Sequence, residues 1–197
     1  GSIEYAFGFA ADCEICIEAN PGTLAEEKLV GYRRVGVNRL SIGVQSLSDA
    51  SLRLLGRVHS AADGRRAVAM ARQAGFDNLS LDLIFALPGQ SLRQLEDDVG
   101  GLLGLQPEHL SLYGLTFEPG TALCERLESG ELGEPDEQAY ADGYQLIDRL
   151  LNDAGFEHYE ISNFARPGFR CRHNQVYWQR QGCMALGCGS HAFIADG

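Results

Sequence analysis

Apolar positions along the chain fall into two rhythms. Four short runs, "CEICIE" (13–18), "RLSIGV" (39–44), "LSLDLIFAL" (79–87) and "HLSLYGLTF" (109–117), have the length and apolar content of strands. Between them lie stretches with helical spacing. The first begins at Thr23, which with Glu26 three residues on reads as a capping box; a short one, "SDASLRLLGR", starts at Ser48 or Asp49. Others cover 60–74, 91–104 (opened by Ser91 and Gln94) and 136–155. Three of these helices close on one plan, in "YRRVGVNRLSIGV", "ARQAGFDNLSLDLIF" and "LNDAGFEHYEI". Each places a glycine, which takes positive φ cheaply, just before the lead into a strand. Repeated helix-Gly-strand joints predict an α/β fold of parallel strands linked by helices, either a β/α barrel or an open doubly wound sheet. The strands read as apolar on both faces, as in a sheet covered by helices on each side. From residue 157 the rhythm changes to "HYEISNFARPGFRCRHNQVYWQRQGCMALGCGSHAFIADG", rich in glycine and aromatics, so the chain divides into 1–156 and a second module, 157–197.

At 197 residues, 45% hydrophobic and 22% charged, the chain has the size and composition of a globular protein with a substantial core. A formal charge of −11 disfavours non-specific attraction to nucleic acid or an anionic bilayer. No apolar run reaches the ~18–20 residues that span a membrane, and no basic-then-apolar leader opens the chain, so the expected compartment is the cytoplasm. Gly1-Ser2 reads as an appended pair and the chain as a fragment. Six cysteines in a chain this long do not form a disulfide scaffold, and reduced thiols are expected.

Chemistry concentrates at three Pro-Gly turns that follow strands, in "CIEANPGT", "LDLIFALPGQS" and "LYGLTFEPGT". In parallel α/β folds, ligands bind at the carboxyl ends of the strands, where such turns lie, although the turns also serve as architecture by capping the next helix through Thr23, Ser91 or Thr121. Glu18, Gln45 and Asp82 stand in or at the end of apolar strands, where an unpaired carboxylate costs several kcal/mol (roughly) and needs a partner. Two readings fit: a ligand offering an ammonium, hydroxyls or a nucleoside edge, or satisfaction by loop amides and by one another. Arg57 either takes a ligand carboxylate or neutralises Asp82, and His59 reads as a surface or internally satisfied histidine. Cys13-x-x-Cys16 is a poor cluster site, because residues three apart on a strand face opposite sides. In the C-terminal segment Cys171, His173, Cys183, Cys188 and His191 lack a zinc spacing; Cys171, His173 or His191 are candidate haem ligands or plain surface groups. Tyr177 and Trp178 either pack a core or border a flat apolar ligand.

The ordered set "IEANPGT", "NRLSIGVQS" with "LLGRVHS", "LDLIFALPGQ", "LSLYGLTFEPGT", "EHYEISNFARPG" and "RHNQVYW" resembles the radical S-adenosylmethionine proteins related to oxygen-independent coproporphyrinogen III oxidase, over essentially all of 14–194. "RHNQVYW" with "LGCGSHA" is more similar to the haem-chaperone branch than to the true oxidases. The resemblance implies a partial (β/α) barrel of parallel strands, the first strands missing, with the start of a C-terminal accessory region. It also implies S-adenosylmethionine and a [4Fe–4S] cluster as cofactors of the full-length protein, and haem or a porphyrinogen as partner. By position it assigns Glu18 to the methionine end of a first S-adenosylmethionine. Gln45, Arg57 and Asp82 go to residues that surround a second one in the oxidase, and Gly114 to backbone beside the first. It assigns no metal ligand here, because the C-x-x-x-C-x-x-C loop that holds the family's cluster is absent from this chain. The piece is therefore expected to be inactive in radical chemistry and to self-associate through an open strand edge.

Overall fold

The computed structural model describes residues 5, 6, 8–133 and 136–194; Gly1-Ser2 and the last three residues of "FIADG" lie outside them. Four strands, β1 (Cys16–Ala19), β2 (Arg39–Gln45), β3 (Leu79–Phe85) and β4 (His109–Gly114), pair in parallel in chain order. The intervening helices are α1 (Glu26–Arg34), α2 (Asp49–Leu54), α3 (Ala61–Gln73) and α4 (Leu92–Gly104). After β4 come α5 (Ala122–Glu128), α6 (Glu137–Asp153), β5 (Glu157–His158), β6 (Asn163–Ala165) and α7 (Arg172–Trp178). The sheet order is β1-β2-β3-β4-β6-β5, with the last two strands antiparallel to their neighbours.

Local chemistry explains most boundaries. Ser60 with Asp63 and Ser91 with Gln94 form reciprocal capping boxes that start α3 and α4, and Asp136 accepts hydrogen bonds from the Gln138 and Ala139 amides to start α6. The three helix-Gly-strand joints end in left-handed glycines, Gly36, Gly75 and Gly155, at φ 93°, 86° and 81°. The box expected at Thr23 does not form. Pro21–Thr23 closes a 3₁₀ turn instead, in which the Thr23 hydroxyl donates to the Asn20 carbonyl at 2.8 Å, and α1 begins without a side-chain cap.

The expectation of strands apolar on both faces is wrong. Leu40, Ile42 and Val44 of β2, Leu79, Leu81, Leu83 and Phe85 of β3, and Leu110 and Leu112 of β4 are buried with Ala67, Val68 and Ala71 of α3, Leu95, Val99 and Leu102 of α4, and Ile147 and Leu151 of α6. The alternate positions carry Arg39 and Ser41, Ser80 and Asp82, His109, Ser111 and Tyr113. A doubly wound sheet would cover both faces with helices. Helices packed on one side of an alternating sheet describe the wall of a barrel, with a polar lining on the inner side.

The change of character at residue 157 coincides with a change of strand direction inside one sheet: β6 pairs with β4 through Ser111↔Asn163 and Leu110↔Phe164. Beyond it, residues 169–174 pass under the amino ends of the strands. Arg39 Nη1 donates to the Phe169 carbonyl at 3.0 Å, and the Arg172 amide donates to Glu14 at 3.0 Å. Tyr177 and Trp178 do not pack a core; they are about half exposed. All six cysteines are free thiols. No helix of the described residues is long and apolar enough to cross a membrane.

Candidate functional site

Because alternate residues of a strand share a face, parallel register lines the inner side with a polar lattice. Glu18 of β1 stands opposite Ser41 of β2, Ser80 of β3 opposite His109 of β4, and Asp82 opposite Ser111. Together with Cys16, Arg39, Tyr113, Cys171 and Asn174 these residues line one cleft of about 180 Å³. Asp82 accepts a hydrogen bond from the Ser41 hydroxyl at 3.0 Å. Burial pushes its carboxyl up to about 6; the Ser41 and Ser111 hydroxyls oppose the rise, the Glu18 charge adds to it and Arg39 lowers it.

Gln45 closes β2 with a left-handed backbone, φ 66°, at a register shift where Ile42 pairs with Leu81 and Gln45 with Leu83. A non-glycine residue held there stores backbone strain, a pattern that concentrates at ligand sites. Its amide occupies space that Gly43 leaves open: a Cβ on Gly43 would come within 2.8 Å of Gln45 Nε2 and 3.4 Å of Asn20 Oδ1. Gln45 therefore sits over the inner side of β2, next to the end of β1.

Arg57 is placed differently. It lies in the connection between α2 and α3, half-buried, two residues before His59, whose Nε2 meets the Val44 carbonyl at 3.0 Å. This puts Arg57 at the carboxyl end of β2 but not in the cleft that Glu18 and Asp82 share, and Asp82 is satisfied by hydroxyls rather than by Arg57. His59 is buried and internally satisfied. Gly114 ends β4 with its side-chain direction turned outward, where an added Cβ would come within 2.0 Å of Tyr140 of α6. Packing there demands glycine independently of any ligand.

The residues that sequence reasoning missed are Arg39, His109 and Tyr159. Arg39 is 1% exposed; its Nη1 also donates to Asn78 Oδ1 at 3.2 Å and lies 3.6 Å from Glu14, while Nη2 has no partner among the described residues. His109 is buried between Ser80, at 2.7 Å from Nδ1, and the Tyr159 hydroxyl, at 2.7 Å from Nε2. Burial, with a smaller effect of Arg39, pushes the imidazole down to about 3. Burial also pushes the Tyr159 phenol up to about 12. The readable signal was the alternation itself, "RLS", "SLD" and "HLS", in strands that otherwise look apolar.

The lattice suits an organic cation with hydroxyls. Glu18 makes no ion pair among the described residues, and Asp82 offers acceptor lone pairs. It does not suit an iron–sulfur cluster. Cys13 lies in the turn before β1, not in the strand as expected, and among the described residues no three His, Cys, Asp or Glu side chains are grouped to hold a metal. A second cleft, about 720 Å³, opens beside the first between the turn before β1 and α7, lined by Cys13, Cys16, Glu18, Cys171, His173 and Asn174 among others. Farther along, Tyr177, His191 and Phe193 border an apolar groove of about 340 Å³.

Comparison with known proteins shows what the chain is similar to. The sequence profile described as "Radical SAM superfamily" matches residues 2–100. The haem chaperone HemW of Escherichia coli is 43% identical over 185 residues, covering 94% of this chain and 48% of that protein. The mouse protein named "Radical S-adenosyl methionine domain-containing protein 1, mitochondrial" is 44% identical over 188 residues, covering 95% of this chain and 42% of that one. Among solved structures, the radical SAM enzyme coproporphyrinogen III oxidase (HemN) of Escherichia coli superposes with a TM-score of 0.75 at 28% identity, over 89% of this chain and 40% of that one. The chain thus spans about half the length of the curated relatives it matches.

Proposed function

The chain belongs to the radical S-adenosylmethionine superfamily, and from that premise we propose that its full-length protein holds S-adenosylmethionine against the inner face of the half barrel and carries haem. The observation that carries the first part is the register that sets Glu18 and Asp82 in one cleft, with Gln45 at the strand end above them. S-adenosylmethionine, when bound, supplies an activated sulfonium and presents an ammonium, a carboxylate and two ribose hydroxyls. Glu18 and Asp82 would accept from the ammonium and the hydroxyls, and the Gln45 amide would serve either polarity; Arg57, outside that cleft, is given no contact with the same molecule. Asp82 must be ionised for this role, so affinity rises as pH passes upward through about 6. No step is assigned to a cluster, because the thiols of this chain do not form its ligand set.

The haem reading is supported by similarity to chaperones of that name over nearly the whole chain, and by the half-exposed Tyr177 and Trp178 next to histidines. His173 meets the Tyr177 ring edge-on at 4.9 Å, and His191 shares the apolar groove with Tyr177 and Phe193. A flat apolar macrocycle with an imidazole ligand fits such a surface. The second reading, oxidative decarboxylation of a porphyrinogen's propionates, draws on the superposition with coproporphyrinogen III oxidase. We place the protein in the cytoplasm, and assign to the isolated piece, in which β1 is an edge strand among the described residues, a tendency to pair with a second copy.

Two assays on the full-length, cluster-reconstituted protein separate the readings. Haem titration produces a saturable Soret shift that is lost in a H173A/H191A variant, and anaerobic incubation with coproporphyrinogen III produces no vinyl product. Vinyl product with no haem shift would instead establish the oxidase.

A further inference from the structure

Gln45 is the middle residue of a three-residue turn. The Ser46 amide donates to the Val44 carbonyl at 2.9 Å across it, and with φ 66° at Gln45 this is the rare form of such a turn, a conformation that strains any residue but glycine. The strain is held from outside the ligand face. On one flank the Val44 carbonyl also meets His59 Nε2 at 3.0 Å; a carbonyl only accepts, so Nε2 carries the proton. On the other flank Asp98 of α4, 5% exposed, takes the chain in a fork: the Ser46 hydroxyl donates to Oδ2 at 2.7 Å and the Leu47 amide to Oδ1 at 2.8 Å. Ser46 Oγ in turn accepts from the Ser48 amide at 3.0 Å. Gly101, three residues after Asp98 and on the same face of α4, leaves the space that the Leu47 side chain fills, since a Cβ there would come within 2.6 Å of Leu47 Cδ1. Helix α4 thus supplies both the acceptors and the seat for residues 46–47.

We infer that Asp98 is a positioning residue for the ligand face: from the helix-covered side of the sheet it clamps residues 46–47, holds Gln45 in its strained turn, and so keeps the Gln45 amide over Gly43. This rests on the reading that Gln45 meets S-adenosylmethionine, and names what holds it ready. Asp98 and Ser46 do not line the cleft themselves. A three-residue turn reverses the chain within one residue, so β2 stops at Gln45 and the amide stays above the space that Gly43 leaves open, 2.8 Å from where a Cβ would be. Without the carboxylate the Ser46 hydroxyl and the Leu47 amide lose their acceptor, and residue 45 is free to relax to negative φ. The amide then leaves its place. A ligand that needs it binds only the fraction of molecules in which the turn is formed, and the measured affinity falls by that fraction.

The test crosses the two positions in the full-length, cluster-reconstituted protein. Melting midpoints without ligand compare Q45G with Q45A, which both lack the amide and differ in their tolerance of positive φ. With Asp98 present, Q45G melts about 1–3 °C above Q45A; in the D98A background the difference vanishes or reverses. Calorimetry with S-adenosylmethionine reads the consequence. D98A binds about ten-fold more weakly than wild type and S46A about three-fold, while D98N, which keeps an acceptor for the Leu47 amide, falls between D98A and wild type. On top of Q45A, D98A causes no further loss, because it acts through the amide already removed. A carboxylate needed only for the fold would weaken binding by the same factor with and without Gln45. That result overturns the inference, as does a Q45G protein no more stable than Q45A. S46A, which spares the Leu47 bond, replaces D98A in both cycles if D98A does not fold. Wild type that binds no S-adenosylmethionine sinks the cofactor assignment and this use of the clamp; the Q45G–Q45A difference, measured without ligand, still decides the clamp itself.

Discussion

The two faces of the parallel sheet are built from the same strands and differ in everything else. On the outer side Leu40, Ile42, Leu79, Leu81, Leu83 and Leu110 are fully buried, and their contacts have no direction; any apolar group of the right volume serves. On the inner side Ser41 donates to Asp82, and His109, Ser80 and Ser111 lie within hydrogen-bond distance of one another, so contacts there depend on direction as well as volume. One face is held by packing without direction and the other by hydrogen bonds with direction. The left-handed Gln45 and Arg39 Nη2, which has no partner among the described residues, show that the inner face tolerates strain and unmet bonding that the outer face supports.

The sharpest way to break this contrast is L81A against D82N, adjacent residues on opposite faces. L81A leaves a cavity at a fully buried site and costs about 2–5 kcal/mol in urea denaturation, with no direct effect on the ligand face. D82N keeps the fold and weakens S-adenosylmethionine binding by the full-length protein about 10- to 100-fold, measured by calorimetry. If both variants lost stability equally and neither lost affinity, the faces would not be functionally distinct.

A smaller effect sharpens the comparison through pH. The Asp82 carboxyl titrates near 3.8 when unfolded and near 6 when folded, so its ionisation costs native stability fully above pH 6 and not at all below pH 3.8. D82N removes that cost. It is therefore more stable than wild type at pH 7–8, by about 1–2 kcal/mol, and the advantage disappears as pH falls from 6 to 4. Denaturation curves across that range check the sign; an advantage that grew on acidification would show that Asp82 is held as a stabilised carboxylate.

Local signals were legible wherever a residue acts on its own backbone. Ser91 with Gln94 marked the start of a helix, and Gly36, Gly75 and Gly155 marked three ends, because caps and positive φ are decided within a few residues. Thr23 misled for a local reason too: Pro21-Gly22 draws it into a 3₁₀ turn before it can cap. Asn163–Ala165 escaped notice as a strand because three residues carry almost no period, and only β4 beside them supplies their partners. Among the site residues, Glu18, Gln45 and Asp82 stood out as polar groups amid apolar ones. Arg39 and His109 did not, since each opens a strand, where a polar residue reads as the end of a loop.

By itself the sequence determined the order of the first four strands and the helices that link them, the parallel joints and the candidate carboxylates, because these depend on spacing and on short-range sterics. Tertiary structure alone decided which strand face is lined, that Arg57 stands apart from Asp82, and that Tyr159 reaches His109 across 50 residues of chain. A hydrogen bond depends on distance and angle between groups that only packing brings together, and no periodicity along one strand records what the neighbouring strand places opposite it.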